Sequence, residues 1–263
     1  MHFVSIVAHP IDETKCVGGT LVRAVRTGHH GTNVVCVHPN GRGEWPIPES
    51  VPDSELAEYI AEEGRRAARI LGIDIEFLHL DEPTLVAPER RAQNARAIAA
   101  AIRRLRPDVL FLHWEEDTGS HGRIGALSTE ALALAAAVDT SLEGQPHRPP
   151  LVLRFLANMF SPRQLRFDPA LFIDISDVAE AKYQAFSQYN KHLGKPPPSI
   201  LRESRMVPSR MWGIVSRSYY AEAFRLEPGV TLEEARRLLP PELLAHPLRA
   251  MHHSVSLPEE FGT

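Results

Sequence analysis

Apolar and polar positions alternate in two rhythms along the chain: short β-branched runs, and longer segments of helical period between them. The run FVSIVA at Phe3 to Ala8 reads as a buried strand. From Gly18, GGTLVRAVRTG sets Leu21, Val22 and Val25 on one face and stops at Gly28, the pattern of a helix with a glycine terminator. Asn33 to Val37 is a second strand. The stretch HPNGRGEWPIPESVP that follows is too rich in Pro, Gly and Asn for regular structure. Asp53 to Leu71 has helical period, with Asp53 or Ser54 as N-cap and Gly72 as stop. Ile75 to Leu80 is strand three, Pro88 to Leu105 an Ala- and Arg-rich helix, and Val109 to Trp114 strand four. His121 to Val138 and Ser176 to Asn190 read as helices and Leu151 to Ala157 as a strand.

Strands separated by helices imply βαβ crossovers, hence an α/β fold with a Rossmann-like, mostly parallel sheet sandwiched by helices. The segment after Ser141 is less regular and Pro-rich at Gly194 to Ser199. It reads as an elaboration (141–263) of a single 1–263 domain, closing the same site. Composition adds exclusions. With 43% hydrophobic and 24% charged residues and a net charge of −4, the chain has no basic footprint for nucleic acid and no polybasic membrane signal. Its longest apolar runs fall short of the roughly 20 residues of a membrane span. Two cysteines, Cys16 and Cys36, make no disulfide framework, and no leader is read at the start. A cytoplasmic protein with a small-molecule substrate is expected.

In parallel sheets ligands bind beyond the carboxyl ends of the strands. Two of those ends carry metal-binding residue types: His9-Pro10-Ile11-Asp12-Glu13 after strand one, and His113 through His121 after strand four. His9 and Asp12, three residues apart on a turn, can point at one centre. His121, from a neighbouring strand end, is the natural third ligand. Two imidazoles and a carboxylate suit zinc with a position left open, and also iron, cobalt or nickel. Gly18-Gly19 opens a helix after a strand, but without GxGxxG or GxxxxGK[ST] no nucleotide site is read.

AHPIDETKCVGGTL resembles the opening signature AHPDDExxxxGGTL of the LmbE/PIG-L family of zinc-dependent N-deacetylases and amidases, and TGSHGRIG at Thr118 to Gly125 resembles its second signature, HPDHRAVG. Further similarities are Gly41-Arg42-Gly43-Glu44, Leu71-Gly72, Asp174 to Val178 with Lys182, and Tyr220 to Phe224; the tail from Arg225 carries none. The resemblance implies Zn²⁺ held by His9, Asp12 and His121, hydrolysis of a non-peptide C–N bond on an amino sugar or specialised metabolite, and a homo-oligomer, trimer or hexamer.

Two departures from the family pattern bear on mechanism. Where the family has the aspartate that takes a proton from the zinc-bound water, this chain has Ile11; the first His of HPDH either is replaced by Thr118 or is lost from a loop one residue shorter. A positioned base or acid contributes about 10²–10⁴ in rate, roughly 3–5 kcal/mol each. An ordinary acetamide should therefore react poorly, and the alternative is a metal-binding relative without deacetylase activity: a silent partner, a binding protein, or a Lewis-acid enzyme of other chemistry. Substitute proton carriers are Asp117 within the acidic run Glu115 to Asp117, Glu13 (which could instead orient the turn) and His113. Arg42, Glu44 and Trp45, with Ile11 and Thr118, are the candidate substrate contacts. Without an aspartate at position 11, a divalent ion with Asp12 alone keeps a positive charge, so an open position preferring anions is expected.

Overall fold

The computed structural model describes residues 1–38, 47–159, 161, 166–189 and 198–245. The first half alternates strand and helix: β1 (His2–Val7), α1 (Asp12–Cys16), α2 (Gly18–Arg26), β2 (His30–His38), α3 (Leu56–Leu71), β3 (Asp74–Asp81), α4 (Pro88–Leu105), β4 (Val109–His113) and α5 (Gly119–Ala136). The second half adds β5 (Leu151–Phe155), β6 (Leu171–Asp174), α6 (Ala179–Phe186), α7 (Pro198–Ser216), β7 (Ala221–Leu226), α8 (Leu232–Leu238) and α9 (Pro241–Leu244).

The seven strands lie in the order β3-β2-β1-β4-β5-β7-β6. β3, β2, β1, β4 and β5 pair in parallel, whereas β7 runs antiparallel to both β5 and β6. This is the expected α/β, mostly parallel architecture. From β1 the chain winds outward through β2 and β3, then returns to β4 on β1's other side. The crevice over β1 and β4 is thus a topological switch point, where such sheets bind ligands.

Alternation along β1 sends Phe3 and Val7 into one core layer with Leu21, Leu71 and Ile175, and Val4 and Ile6 into another with Ile98, Leu110 and Leu127. Both faces of the strand are covered, which is why its sequence is continuously apolar. Gly72 stops α3 in the left-handed conformation (φ 74°). The start of α3 departs from the expectation: Asp53 to Glu55 form a 3₁₀ turn, and the helix begins at Leu56 without a side-chain cap. Strands β6 and β7 and helices α7 to α9 carry no expected counterpart. The expected helix Ser176 to Asn190 shortens to α6.

The N-terminus of α2 shows why no phosphate belongs there. Glu222 from β7 accepts hydrogen bonds from the backbone N–H groups of Gly19 and Thr20, each at 2.8 Å, and from Lys182 Nζ at 2.6 Å. The side chains of Lys182 and Glu222 are 1% and 2% exposed. A Cβ at Gly19 would come within 2.7 Å of Ile175, so only glycine permits this approach.

Candidate metal centre

The turn after β1 is built for convergence. Asp12 N–H bonds back to the His9 carbonyl at 3.1 Å, while His9 N–H donates to Asp12 Oδ2 at 2.8 Å, so the two residues fix each other before any ligand arrives. Asp12 opens the one-turn helix α1 and is 2% exposed. His121 comes from the first turn of α5, a few residues inside the helix. Gly122 and Gly125 let that helix lie directly on the preceding loop: a Cβ at Gly122 would sit 2.2 Å from the Asp117 carbonyl, and one at Gly125 2.9 Å from Glu115 backbone atoms and the His113 carbonyl. From β5, Arg154 ties the same parts together, donating to the carbonyls of His113 (3.1 Å) and Gly125 (3.3 Å) and to Thr129 Oγ1 (2.9 Å).

The result brings the three expected ligands together. His121 Nε2 lies 3.3 Å from Asp12 Oδ1 and His9 Nδ1 lies 3.6 Å from Asp12 Oδ2. One donor atom from each of the three falls within 4.8 Å of the others, and among the described residues no other His, Cys, Asp or Glu group meets that criterion. Nitrogen and carboxylate donors at such spacing fit a divalent transition ion, with His9 and His121 each 18% exposed and so reachable from solvent. Burial opposes ionisation of Asp12, yet the surrounding imidazoles, His121 foremost, hold it well below the usual carboxylate range. Burial likewise opposes a charge on His9, but hydrogen bonds to Asp12 and Glu82 outweigh it and raise the ring to about 10. Proton and metal therefore compete for that imidazole.

The other expected residues take varied places. His113 is fully buried at the end of β4. Its Nε2 accepts the Ala8 N–H at 2.9 Å, which puts the ring proton on Nδ1, and burial lowers its pKa. Asp117 is committed to backbone: Oδ2 accepts from Ala157 N–H (2.8 Å) and Asn158 N–H (3.3 Å), and Oδ1 from Thr118 N–H (2.7 Å). Thr118 stands at the N-cap of α5, where its hydroxyl accepts from Asn158 Nδ2 at 2.6 Å. Glu13 turns inward, accepting from Tyr189 OH (2.7 Å) and Thr14 Oγ1 (2.6 Å) through Oε1, while Oε2 is buried without a partner; burial pushes this carboxyl up to about 8. Ile11 is half-buried against the core layer that holds Leu21. Cys16 approaches the Leu156 carbonyl at 3.7 Å and burial raises its thiol, the state of an inert cysteine. Arg42, Glu44 and Trp45 lie outside the described residues.

Glu82 has no counterpart among the expected residues. It stands just past β3 and places Oε1 3.2 Å from His9 Nε2, with Ser120 Oγ donating to the same oxygen. Its hydrogen bond from His9 holds the carboxyl down to about 2. The only sequence signal was an acidic residue one step beyond the carboxyl end of a strand.

Residues 4–132, which carry His9, Asp12 and His121, match the family described as GlcNAc-PI de-N-acetylase, PIG-L. That stretch, just under half of the chain, is similar to the family. Over 182 residues it is 32% identical to the 1D-myo-inositol 2-acetamido-2-deoxy-alpha-D-glucopyranoside deacetylase of Thermobifida fusca, covering 60% of this chain and 61% of that enzyme. The alignment thus spans less than two thirds of that relative. A 4-oxalmesaconate hydratase of Pseudomonas putida is 26% identical over 68% of this chain and 69% of its own length. The crystal structure of a conserved protein from Thermus thermophilus superposes with a TM-score of 0.69 at 28% identity, over 88% of this chain and 96% of that one. Among the described residues no helix is long and apolar enough to cross a membrane.

Proposed function

We propose that the protein is a zinc-dependent hydrolase that removes an acyl group from the nitrogen of a small molecule, such as an amino sugar or specialised metabolite, through a proton relay altered at Ile11 and Thr118. The observation that carries this reading is the convergence of His9, Asp12 and His121 at the switch point. The family's name and the Thermobifida relative support N-deacetylation as the reaction class. A divalent ion held there supplies a Lewis acid that acidifies water and polarises a carbonyl. The chain's own residues do the rest: Asp12 and the imidazoles hold the ion, Asp117 and Arg154 hold the loop and helix that carry His121, and Ile11 presents an apolar wall. Asp117 and His113 are engaged with backbone N–H groups, and Glu13 would keep its proton near neutral pH, so none offers the ready acceptor that an aspartate at position 11 would. Slow turnover of an unactivated acetamide follows.

A second reading is favoured by Ile11 together with the hydratase relative: the same scaffold adding or removing water without cleaving an amide. One experiment separates the two. Elemental analysis of the purified protein establishes the bound metal, and amine release from N-acetylated sugars is followed for the wild type and Ile11→Asp. On the hydrolase reading, Ile11→Asp gains about 10²–10⁴ in rate. Zinc bound without amine release by either protein favours the hydratase-like chemistry, and a protein holding no divalent metal overturns both readings. The trimer or hexamer expected from the family belongs to the same proposal and is checked by light scattering.

A further inference from the structure

His9 presents its two ring nitrogens to different partners: Nδ1 lies 3.6 Å from Asp12 Oδ2, and Nε2 lies 3.2 Å from Glu82 Oε1. A carboxylate only accepts hydrogen bonds, so the contact at Nε2 keeps a proton there, and Nδ1, facing Asp12, is the nitrogen left to give up its proton to a metal ion. The Glu82 oxygen also accepts from Ser120, the residue before His121, so one carboxylate steadies imidazoles delivered by two different strand ends. A backbone irregularity brings Glu82 there. Between the pairs Val35↔Phe77 and Val37↔Leu80, β3 carries one more residue than β2, and His79 within that bulge has φ 52°. Bulges of this kind re-aim the residues that follow them and concentrate beside functional sites.

We propose, resting on the metal-dependent reading above, that Glu82 is a positioning residue of the metal centre. It fixes His9 as an Nδ1 donor, and it supplies, from the end of β3, the negative charge that Ile11 does not. Two carboxylates beside a divalent ion sum to a formally neutral site. The open position then favours a neutral carbonyl, which reverses the anion preference expected from Ile11 alone.

The test uses the full chain stripped of metal and titrated with Zn²⁺ against a competing chelator. Glu82→Ala is expected to weaken zinc binding about 10–100-fold. Glu82→Gln, which keeps an acceptor oxygen for His9, recovers most of that loss. In the ¹¹³Cd-loaded wild type, the metal couples to Nδ1 of His9. Acetate binds the zinc-loaded Glu82→Gln protein several-fold more tightly than the wild type. Wild-type zinc affinity in folded Glu82→Ala, or cadmium coupling to Nε2, overturns the assignment of Glu82. Should Glu82→Ala not fold, the cadmium coupling and Glu82→Gln decide the matter. Equal acetate affinity overturns the charge role. Failure of the wild type to bind Zn²⁺ overturns the metal-dependent reading itself, a result distinct from the others.

Discussion

Glu222 and Asp12 are both buried carboxylates beside the start of a helix, yet they keep opposite company. Glu222 accepts two backbone N–H groups and the ammonium of Lys182. Asp12 accepts one backbone N–H and otherwise faces the rings of His121, His113 and His9 at 3.3, 3.4 and 3.6 Å. A buried lysine ammonium beside a carboxylate is a fixed counter-charge, and the pair locks α2 to β7. Imidazoles neutralise a carboxylate only while protonated; once neutral, those of His9 and His121 can turn a lone pair to whatever cation is present, whereas His113 keeps its own on the Ala8 N–H. The first arrangement serves the fold, and only the second can exchange protons for an ion.

That contrast can be broken first at its rigid end. Lys182→Ala leaves Glu222 buried without a counter-charge and should cost about 3–5 kcal/mol in chemical denaturation; a loss below 1 kcal/mol would show that the ion pair is not what clamps α2. Next, Asp117→Asn weakens three backbone contacts that shape the loop before His121. A loss of about 1–3 kcal/mol is expected, read as a lowered melting temperature, and an unchanged melt would remove Asp117 from the scaffold of the site.

Glu13 gives the pH dependence. Its carboxyl is raised in the folded state to about 8, so unfolding releases its proton at any pH between the usual carboxylate value of 4.5 and about 8. For a raised acid the folded state binds the extra proton, and stability falls as pH rises through that window, by on the order of 1 kcal/mol per unit. Glu13→Gln should flatten this slope between pH 5 and 8; an identical slope in both proteins would show that Glu13 is not its source. The smallest effect is expected at Arg104–Glu76, a pair of the same charge types as Lys182–Glu222 but with side chains 55% and 31% exposed. Arg104→Ala should change stability by no more than about 1 kcal/mol, and a loss near that of Lys182→Ala would erase the distinction between solvated and buried pairs.

The legible parts of the molecule were those written in local pattern. Continuous apolar runs announced β1 and β4 because parallel strands are buried on both faces, and the periodicity of residues 88–105 marked α4 at the bounds observed. His9 and Asp12 were legible as a pair because a single turn sets their distance. Glu82 was not: β3 lies two strands from β1, and only the bulge at His79 and the turn after it carry the carboxylate to His9. The roles of Asp117 and Glu13 were equally hidden, since acidic residues beside a ligand look alike in sequence whether their oxygens face an open site, backbone N–H groups or a tyrosine. Strand β6 was hidden because it has only four residues, and β7 because Glu222 and Arg225 interrupt AEAFRL, so that neither forms a continuous apolar run.

What the sequence by itself determined is the α/β order of elements, the two loop tips that bear residue types able to hold a metal, and the absence of an acid at position 11, because all of these depend on residue identity and near-neighbour spacing. Only the tertiary structure decided that β1 and β4 are adjacent, that Glu222 rather than a phosphate occupies the start of α2, and that Glu82 stands behind His9. Those facts depend on which strands pair and on where a bulge re-aims the chain, and hydrogen-bonding partners separated by tens to hundreds of residues leave no mark on the local pattern.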